Sequence, residues 1–184
     1  MVRWLHASGV TGAVVEVGVF EGGSLAYLAR QSPDRPVYGY DTFAGLPEHT
    51  YLDNRHGAGE FRAGEDGVRR ALAQYPNVTL TTGSYPESDR FPPSPVAMAH
   101  IDVDLYRPTL EALEHLWPLL ATGGRVYAGD AFWPGCRGAT VALAQFCAAY
   151  GVPIHVMQAP RGARREWYEE GQGPAVPLAY VEKR

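Results

Sequence analysis

Short apolar runs alternating with amphipathic stretches set the pattern of this chain. Ala13–Val17 is an apolar run interrupted only by Glu16, and it leads into Gly18-Val19-Phe20-Glu21-Gly22-Gly23-Ser24. Leu25, Leu28 and Ala29 then fall on one helical face, and Pro33 and Pro36 mark a turn. A second strand is predicted over Val37–Tyr40, ending at Asp41. Thr42–Gly64 has weak periodicity and many turn residues, a length that suits a functional loop better than a plain connection. Val68, Leu72 and Tyr75 stand at helical spacing before a third strand, Val78–Thr82, closed by Gly83. Pro86–Pro95 reads as loop, and a fourth strand, Val96–Ile101, ends in Asp102-Val103-Asp104.

Pro108 suits the first turn of a helix. Leu110, Leu113, Leu116, Trp117 and Leu120 form its apolar stripe, with Pro118 set to kink or end it and Gly123-Gly124 as a stop. A fifth strand is predicted over Arg125–Ala128, ending at Gly129-Asp130, and a further helix over Gly138–Tyr150. Ile154–Gln158 and Leu178–Glu182 read as two short closing strands. The exposed loop between them carries Arg161, Arg164 and Arg165, either a solvated face or a substrate clamp. No element is predicted before Ala13. Strands separated by helices predict one α/β domain over residues 1–184, a parallel sheet with helices on both faces. Ligands then belong in the crevice beyond the carboxyl ends of the strands.

Composition narrows the classes. The 184 residues are 46% hydrophobic with a formal net charge of -4, which argues against a broad nucleic-acid-binding surface. Cys136 and Cys147 form neither a CxxC pair nor a zinc spacing, so two reduced thiols are expected. No apolar run approaches the ~20 residues of a membrane span. The first twelve residues lack a signal-peptide block. A cytoplasmic protein without membrane or nucleic-acid partners is therefore expected.

The strand ends carry the candidate chemistry. Glu16, Gly18, Gly22 and Ser24 form a strand–turn–helix whose glycines admit close backbone approach and whose helix start offers free N–H groups. S-adenosylmethionine, with its carboxylate, ribose and sulfonium, suits such a turn, and Glu16 would attract its cationic end. The other reading is an ordinary turn with an ion-paired Glu. Asp41 is placed to accept ribose hydroxyls, which serves nicotinamide cofactors equally, or else it is a turn acid. Gly83 and Ser84 close the third strand, where an adenine would lie.

His100, Asp102 and Asp104 form the most informative cluster. If strand geometry persists, Asp102 and Asp104 share a face. Crowded carboxylates are costly unless a cation or proton relieves them, and oxygen ligands suit magnesium or calcium. Asp130, on the neighbouring strand, would supply a third oxygen, and a metal there would ease deprotonation of a substrate hydroxyl. The competing readings are separate capping acids and, for His100, a local hydrogen bond. Trp133, Trp167 and Tyr168 are either acceptor-site walls or packing anchors.

Glu16-Val-Gly-Val-Phe-Glu-Gly-Gly-Ser24, Asp41-Thr-Phe-Ala-Gly-Leu-Pro47, His100-Ile-Asp-Val-Asp-Leu-Tyr106 and Pro134-Gly-Cys-Arg137 occur in this order. Together they resemble the macrocin O-methyltransferase family, over about Ala13–Cys147. The resemblance implies a Rossmann-like class I methyltransferase fold: a mostly parallel seven-stranded sheet with a C-terminal antiparallel hairpin. It implies that Glu16, Gly18 and Asp41 contact S-adenosylmethionine; Gly22, Ser24, Thr42, Gly83, Ser84 and Asp102 are the further candidates for that ligand at the same strand ends. It further implies magnesium held by Asp102 and Asp130, with Asp102 as general base; Asp104 is the further metal candidate and His100 the second catalytic candidate. Residues 48–61 would form part of a lid, and a hydroxyl on a small molecule, such as a sugar of a secondary metabolite, would be the methyl acceptor.

The chain departs from the family's pattern in two places. Gly129 stands where the family usually has the first of two aspartates, with the spacing to Cys136 about one residue short, leaving a weaker metal site, one rearranged onto Asp104, or none. The family's usual N-terminal helical extension is not seen before Ala13, so substrate enclosure and a homodimer are expectations from resemblance alone. Two other functional classes fit parts of the pattern: a regulatory module that binds S-adenosylmethionine without turnover, and a nicotinamide-dependent oxidoreductase. The incomplete glycine fingerprint weighs against the latter.

Overall fold

The computed structural model describes residues 1–48, 51–53, 55–89, 95–157 and 177–184. Seven strands form one sheet: β1 (Ala13–Val17), β2 (Val37–Asp41), β3 (Val78–Thr82), β4 (Val96–Ile101), β5 (Leu120–Ala128), β6 (His155–Met157) and β7 (Leu178–Glu182). Their order is β3-β2-β1-β4-β5-β7-β6. The first five are parallel, and β7 runs antiparallel to both β5 and β6. β1 and β4 are buried along their whole length, which is why they read as near-continuous apolar runs. The order reverses between β2 and β4 around β1, so a crevice opens at the carboxyl ends there.

Helices cover both faces. α1 (Val2–Ser8), α2 (Gly23–Gln31) and α3 (Glu65–Leu72) bury Leu5, Leu25, Leu28, Val68 and Leu72 against Val14, Val37, Met98 and Tyr127. On the other face α4 (Tyr106–Leu119) and α5 (Arg137–Tyr150) bury Leu113, Leu116, Leu143 and Phe146 against Val15, Ala99 and Val126. A 3-10 turn, Tyr51–Asp53, lies between β2 and α3. Among the described residues no helix is long and apolar enough to cross a membrane.

Three expectations change. α1 precedes the first strand, where no element was predicted. It is under two turns long, so Val2 and Leu5 are too few to display a period, and only Gly9, left-handed at φ 68°, marks its end. β5 begins at Leu120 directly after α4. Its pairing with β4 jumps from Val96↔Leu120 to Met98↔Arg125, so Gly123-Gly124 lie in an irregular stretch of the strand instead of stopping a helix. Pro118 ends α4 within its last turn. Finally, β4 stops at Ile101 and Asp104 is left-handed at φ 60°, so the strand alternation invoked for Asp102 and Asp104 does not persist. Gln158, the arginines at 161, 164 and 165, Trp167 and Tyr168 lie outside the described residues.

Candidate functional site

A cavity of about 720 Å³ occupies the crevice, within the size range of small-molecule sites. At one end its wall is the turn after β1 and the tips of β2 and β3: Gly18, Phe20, Ser24, Asp41, Thr42, Gly83 and Ser84. Gly18, at φ 90°, allows the turn to press on the backbone of Asp102, whose carbonyl a Cβ would strike. Asp41 organises this end. Its Oδ2 accepts from the backbone N–H of Val19 at 2.8 Å and of Phe20 at 2.7 Å, and its Oδ1 accepts from Phe43 N–H at 2.7 Å. Phe20 and Phe43 are both left-handed, at φ 50° and 55°. Such backbone costs of order 1–3 kcal/mol per residue and persists only where neighbours over-determine it. One carboxylate holds both.

The middle of the wall is aromatic. Tyr40 and Tyr85 have ring centroids 4.7 Å apart. Tyr40 Oη donates to Asp89 Oδ1 at 2.6 Å, and Asp89 Oδ2 meets His115 Nε2 at 2.8 Å. The Tyr85 hydroxyl is buried with no partner among the described residues, a group that a ligand's polar atom can satisfy.

The other end is acidic. Asp102, Asp104 and Asp130 all face the cavity. The Asp104 N–H donates to Asp130 Oδ2 at 2.8 Å, which ties the two strand tips together. Burial, and then repulsion from Asp102 and Asp104, push the Asp130 carboxyl well above the usual range. Asp104 is also raised by burial, against a hydrogen bond from the Cys136 thiol at 3.2 Å. Cys136 itself is pushed up by burial and by Asp130 and Asp104, so it is a poor thiolate nucleophile as it stands. Gly129 is hemmed in: a Cβ there would stand 2.6 Å from Asp102 Oδ1 and 2.9 Å from His100 Nε2. Asp102 and His100 thus occupy the space a side chain at 129 would need.

Most predicted site residues meet in this cavity, and three do not. Glu16 is fully buried and is absent from the wall; its Oε1 pairs with His100 Nδ1 at 2.9 Å. Burial raises its carboxyl, with the His100 hydrogen bond and charge pulling the other way. His100 is likewise buried behind the wall, so it supports β1 and β4 from within the sheet. Gly22, the N-cap of α2 at φ 84°, sits against Val68 and also lies off the wall. Trp133 is not on the wall either. Sequence reasoning missed Tyr40, Tyr85 and the tether through Asp53, buried in the expected lid, whose Oδ1 accepts from Tyr106 N–H at 3.0 Å. Phe61, at the end of the expected lid, lines the cavity edge-on to Phe20 at 5.9 Å.

The strand order, the reversed β7 and a crevice at the β1–β4 tips define the class I methyltransferase fold. Solved structures agree. The O-methyltransferase NovP superposes with a TM-score of 0.78 at 22% identity, covering 100% of this chain and 76% of that one. CalS11, a calicheamicin methyltransferase, superposes at 0.77 and 22%, covering 98% and 76%. The profile of the Macrocin-O-methyltransferase (TylF) family matches residues 1–158, and the chain belongs to that family. A tetracenomycin-rhamnosyl 4'-O-methyltransferase of Streptomyces olivaceus is 32% identical, over 75% of this chain and 60% of its own. Mycinamicin III 3''-O-methyltransferase of Micromonospora griseorubida is 29% identical, over 71% and 59%. The chain therefore spans about 60% of the length of these curated relatives.

Proposed function

We propose that the chain is an S-adenosylmethionine-dependent O-methyltransferase acting in the cytoplasm on a hydroxyl of a small molecule, with a sugar of a secondary metabolite as the preferred class. The observation that carries this is the continuity of one cavity from the Gly18–Asp41–Ser84 end to Asp102 and Asp130. The rhamnosyl group in the name of the Streptomyces olivaceus relative supports the acceptor class.

The first end suits the donor. The turn after β1 brings backbone close to a ligand, and Ser84 and Tyr85 offer hydroxyls beyond Asp41. Asp41's three N–H partners leave it little capacity, so its main work is to shape the loop, with at most Oδ1 left to meet a ribose hydroxyl. When bound, S-adenosylmethionine supplies an electrophilic methyl group on a sulfonium. Asp102 takes the proton from the acceptor hydroxyl as its oxygen bonds to the methyl carbon and the carbon–sulfur bond breaks, leaving S-adenosylhomocysteine. Phe20 and Phe61 line the cavity, and the rate comes mainly from orientation.

The donor set at the acidic end fits a hard divalent cation. Asp102 and Asp130 would hold magnesium, which supplies positive charge beside the acceptor oxygen. Asp130 is raised first by burial and then by repulsion from Asp102 and Asp104, and a cation there would relieve that repulsion.

The test is transfer of labelled methyl from S-adenosylmethionine to a panel of hydroxylated glycosides. Wild type should turn over at least one, and Asp102→Asn should lose about 10²–10⁴-fold in kcat while retaining donor binding. Full activity in Asp102→Asn removes the proposed base. Donor binding without turnover on any acceptor supports a non-catalytic binding module instead.

A further inference from the structure

We propose that His56, Asp104 and Cys136 form a site for a borderline divalent metal, with zinc the best-fitting ion, separate from the Asp102–Asp130 carboxylates. The three residues come from three parts of the fold: the segment after the 3-10 turn, the loop after β4, and the start of α5. Their ligating atoms lie within 4.8 Å of one another. Cys136 Sγ stands 3.2 Å from Asp104 Oδ1 and 3.8 Å from His56 Nε2. For tetrahedral zinc, with sulfur at about 2.3 Å and nitrogen or oxygen at about 2.0–2.1 Å, ligand atoms sit about 3.3–3.6 Å apart. The two Cys136 separations bracket that spacing, and the His56–Asp104 pair lies within 4.8 Å.

A second observation points the same way. His56 Nδ1 bonds Glu60 Oε2 at 3.0 Å, and Glu60 is itself held by the Gly57 N–H on Oε1 at 2.8 Å. With Nδ1 donating, Nε2 presents its lone pair toward Cys136. A carboxylate orienting a histidine so that its other nitrogen faces the ion is the usual outer support of a metal-binding histidine. The backbone of the segment is tethered too, by Leu46 N–H to Glu60 O at 2.8 Å and Gly59 N–H to Leu46 O at 2.8 Å. A donor set of sulfur, nitrogen and oxygen selects zinc or cobalt over magnesium, and three protein ligands leave a fourth position open. Binding would release the Cys136 proton and clasp the 56–61 segment onto the β4 and α5 rim, fixing Phe61 over the cavity.

This site does not depend on the methyl-transfer reading, and its test separates the two. Chelator-treated protein is titrated with cobalt and read by absorption. A sulfur-to-cobalt charge-transfer band saturating at one ion per chain, displaced by one equivalent of zinc and not by excess magnesium, is the expected result. Cys136→Ser should abolish the band, His56→Gln should weaken cobalt binding at least tenfold, Glu60→Gln should weaken it about 10–100-fold, and Cys147→Ser should leave it intact. Absence of the band at millimolar cobalt, its survival in Cys136→Ser, or cobalt affinity unchanged in His56→Gln overturns the proposal. His56 lies on a surface segment and His56→Gln leaves the core untouched, so it decides the case even if Cys136→Ser misfolds. S-adenosylhomocysteine binding, measured on the same variants, reports on the cavity independently.

Discussion

The two ends of the crevice solve opposite electrostatic problems. At the β1–β2 end a single carboxylate, Asp41, meets three backbone N–H groups and holds two left-handed phenylalanines in place. At the β4–β5 end three carboxylates crowd together, and burial and mutual repulsion raise Asp130 and Asp104. The first end is complete within the chain's own sequence. The second holds an imbalance that only a proton or a cation removes. A preformed binding wall beside an unrelieved acidic cluster is what a transferase needs if it is to hold one substrate rigidly and charge-match another.

The sharpest way to break this contrast is to remove the organiser of the first end. Asp41→Ala is predicted to cost roughly 2–4 kcal/mol in urea unfolding, from three lost charge-assisted hydrogen bonds, offset in part by released backbone strain. An unchanged midpoint would mean that the loop holds itself. At the second end, Gly129→Asp adds a side chain where 2.6 Å separates its Cβ from Asp102 Oδ1. It should destabilise the chelator-treated protein by about 1–3 kcal/mol, and magnesium should restore more stability to it than to wild type. Equal magnesium effects on both would show that position 129 plays no part in cation binding.

The smallest effect is on pH. Glu16, Asp104 and Asp130 are all raised, so the folded state holds protons that the unfolded state has already released. Their stabilising contribution is complete below the unfolded carboxylate values and is lost as pH rises through the raised folded values. Chelator-treated protein should therefore lose about 1.4 kcal/mol per pH unit per retained proton between the unfolded and the raised folded values, and Asp130→Asn should flatten part of that slope. A stability that climbs with pH over the same interval contradicts the acidic imbalance.

Much of this architecture is visible in the amino-acid pattern, for a physical reason. β1 and β4 are buried on both faces, so Ala13–Val17 and Val96–Ile101 are nearly unbroken apolar runs that need no tertiary information to identify. The acids follow because each sits where such a run stops. What was hidden depends on contacts between distant residues. Glu16 and His100 read as ligand-facing candidates; they lie side by side on β1 and β4, where one carboxylate oxygen, Glu16 Oε1, meets His100 Nδ1 inside the sheet. Asp41 read as a ribose acceptor or a turn acid; what stayed hidden was its hold on three backbone N–H groups, which carry no side-chain signature. His56 and Cys136 stand 80 positions apart, and no local spacing rule joins them. The irregular pairing of β5 escaped because Gly123-Gly124 signals a break without saying whether a helix or a strand is interrupted.

The most direct measurement of the central claim is a crystal structure of the chain with S-adenosylhomocysteine and magnesium. The account predicts the adenosyl group beyond β2 and β3 beside Ser84, the sulfur turned toward Asp102, and the ion on Asp102 and Asp130. A nucleoside bound outside this crevice, or a sulfur facing away from Asp102, would contradict it.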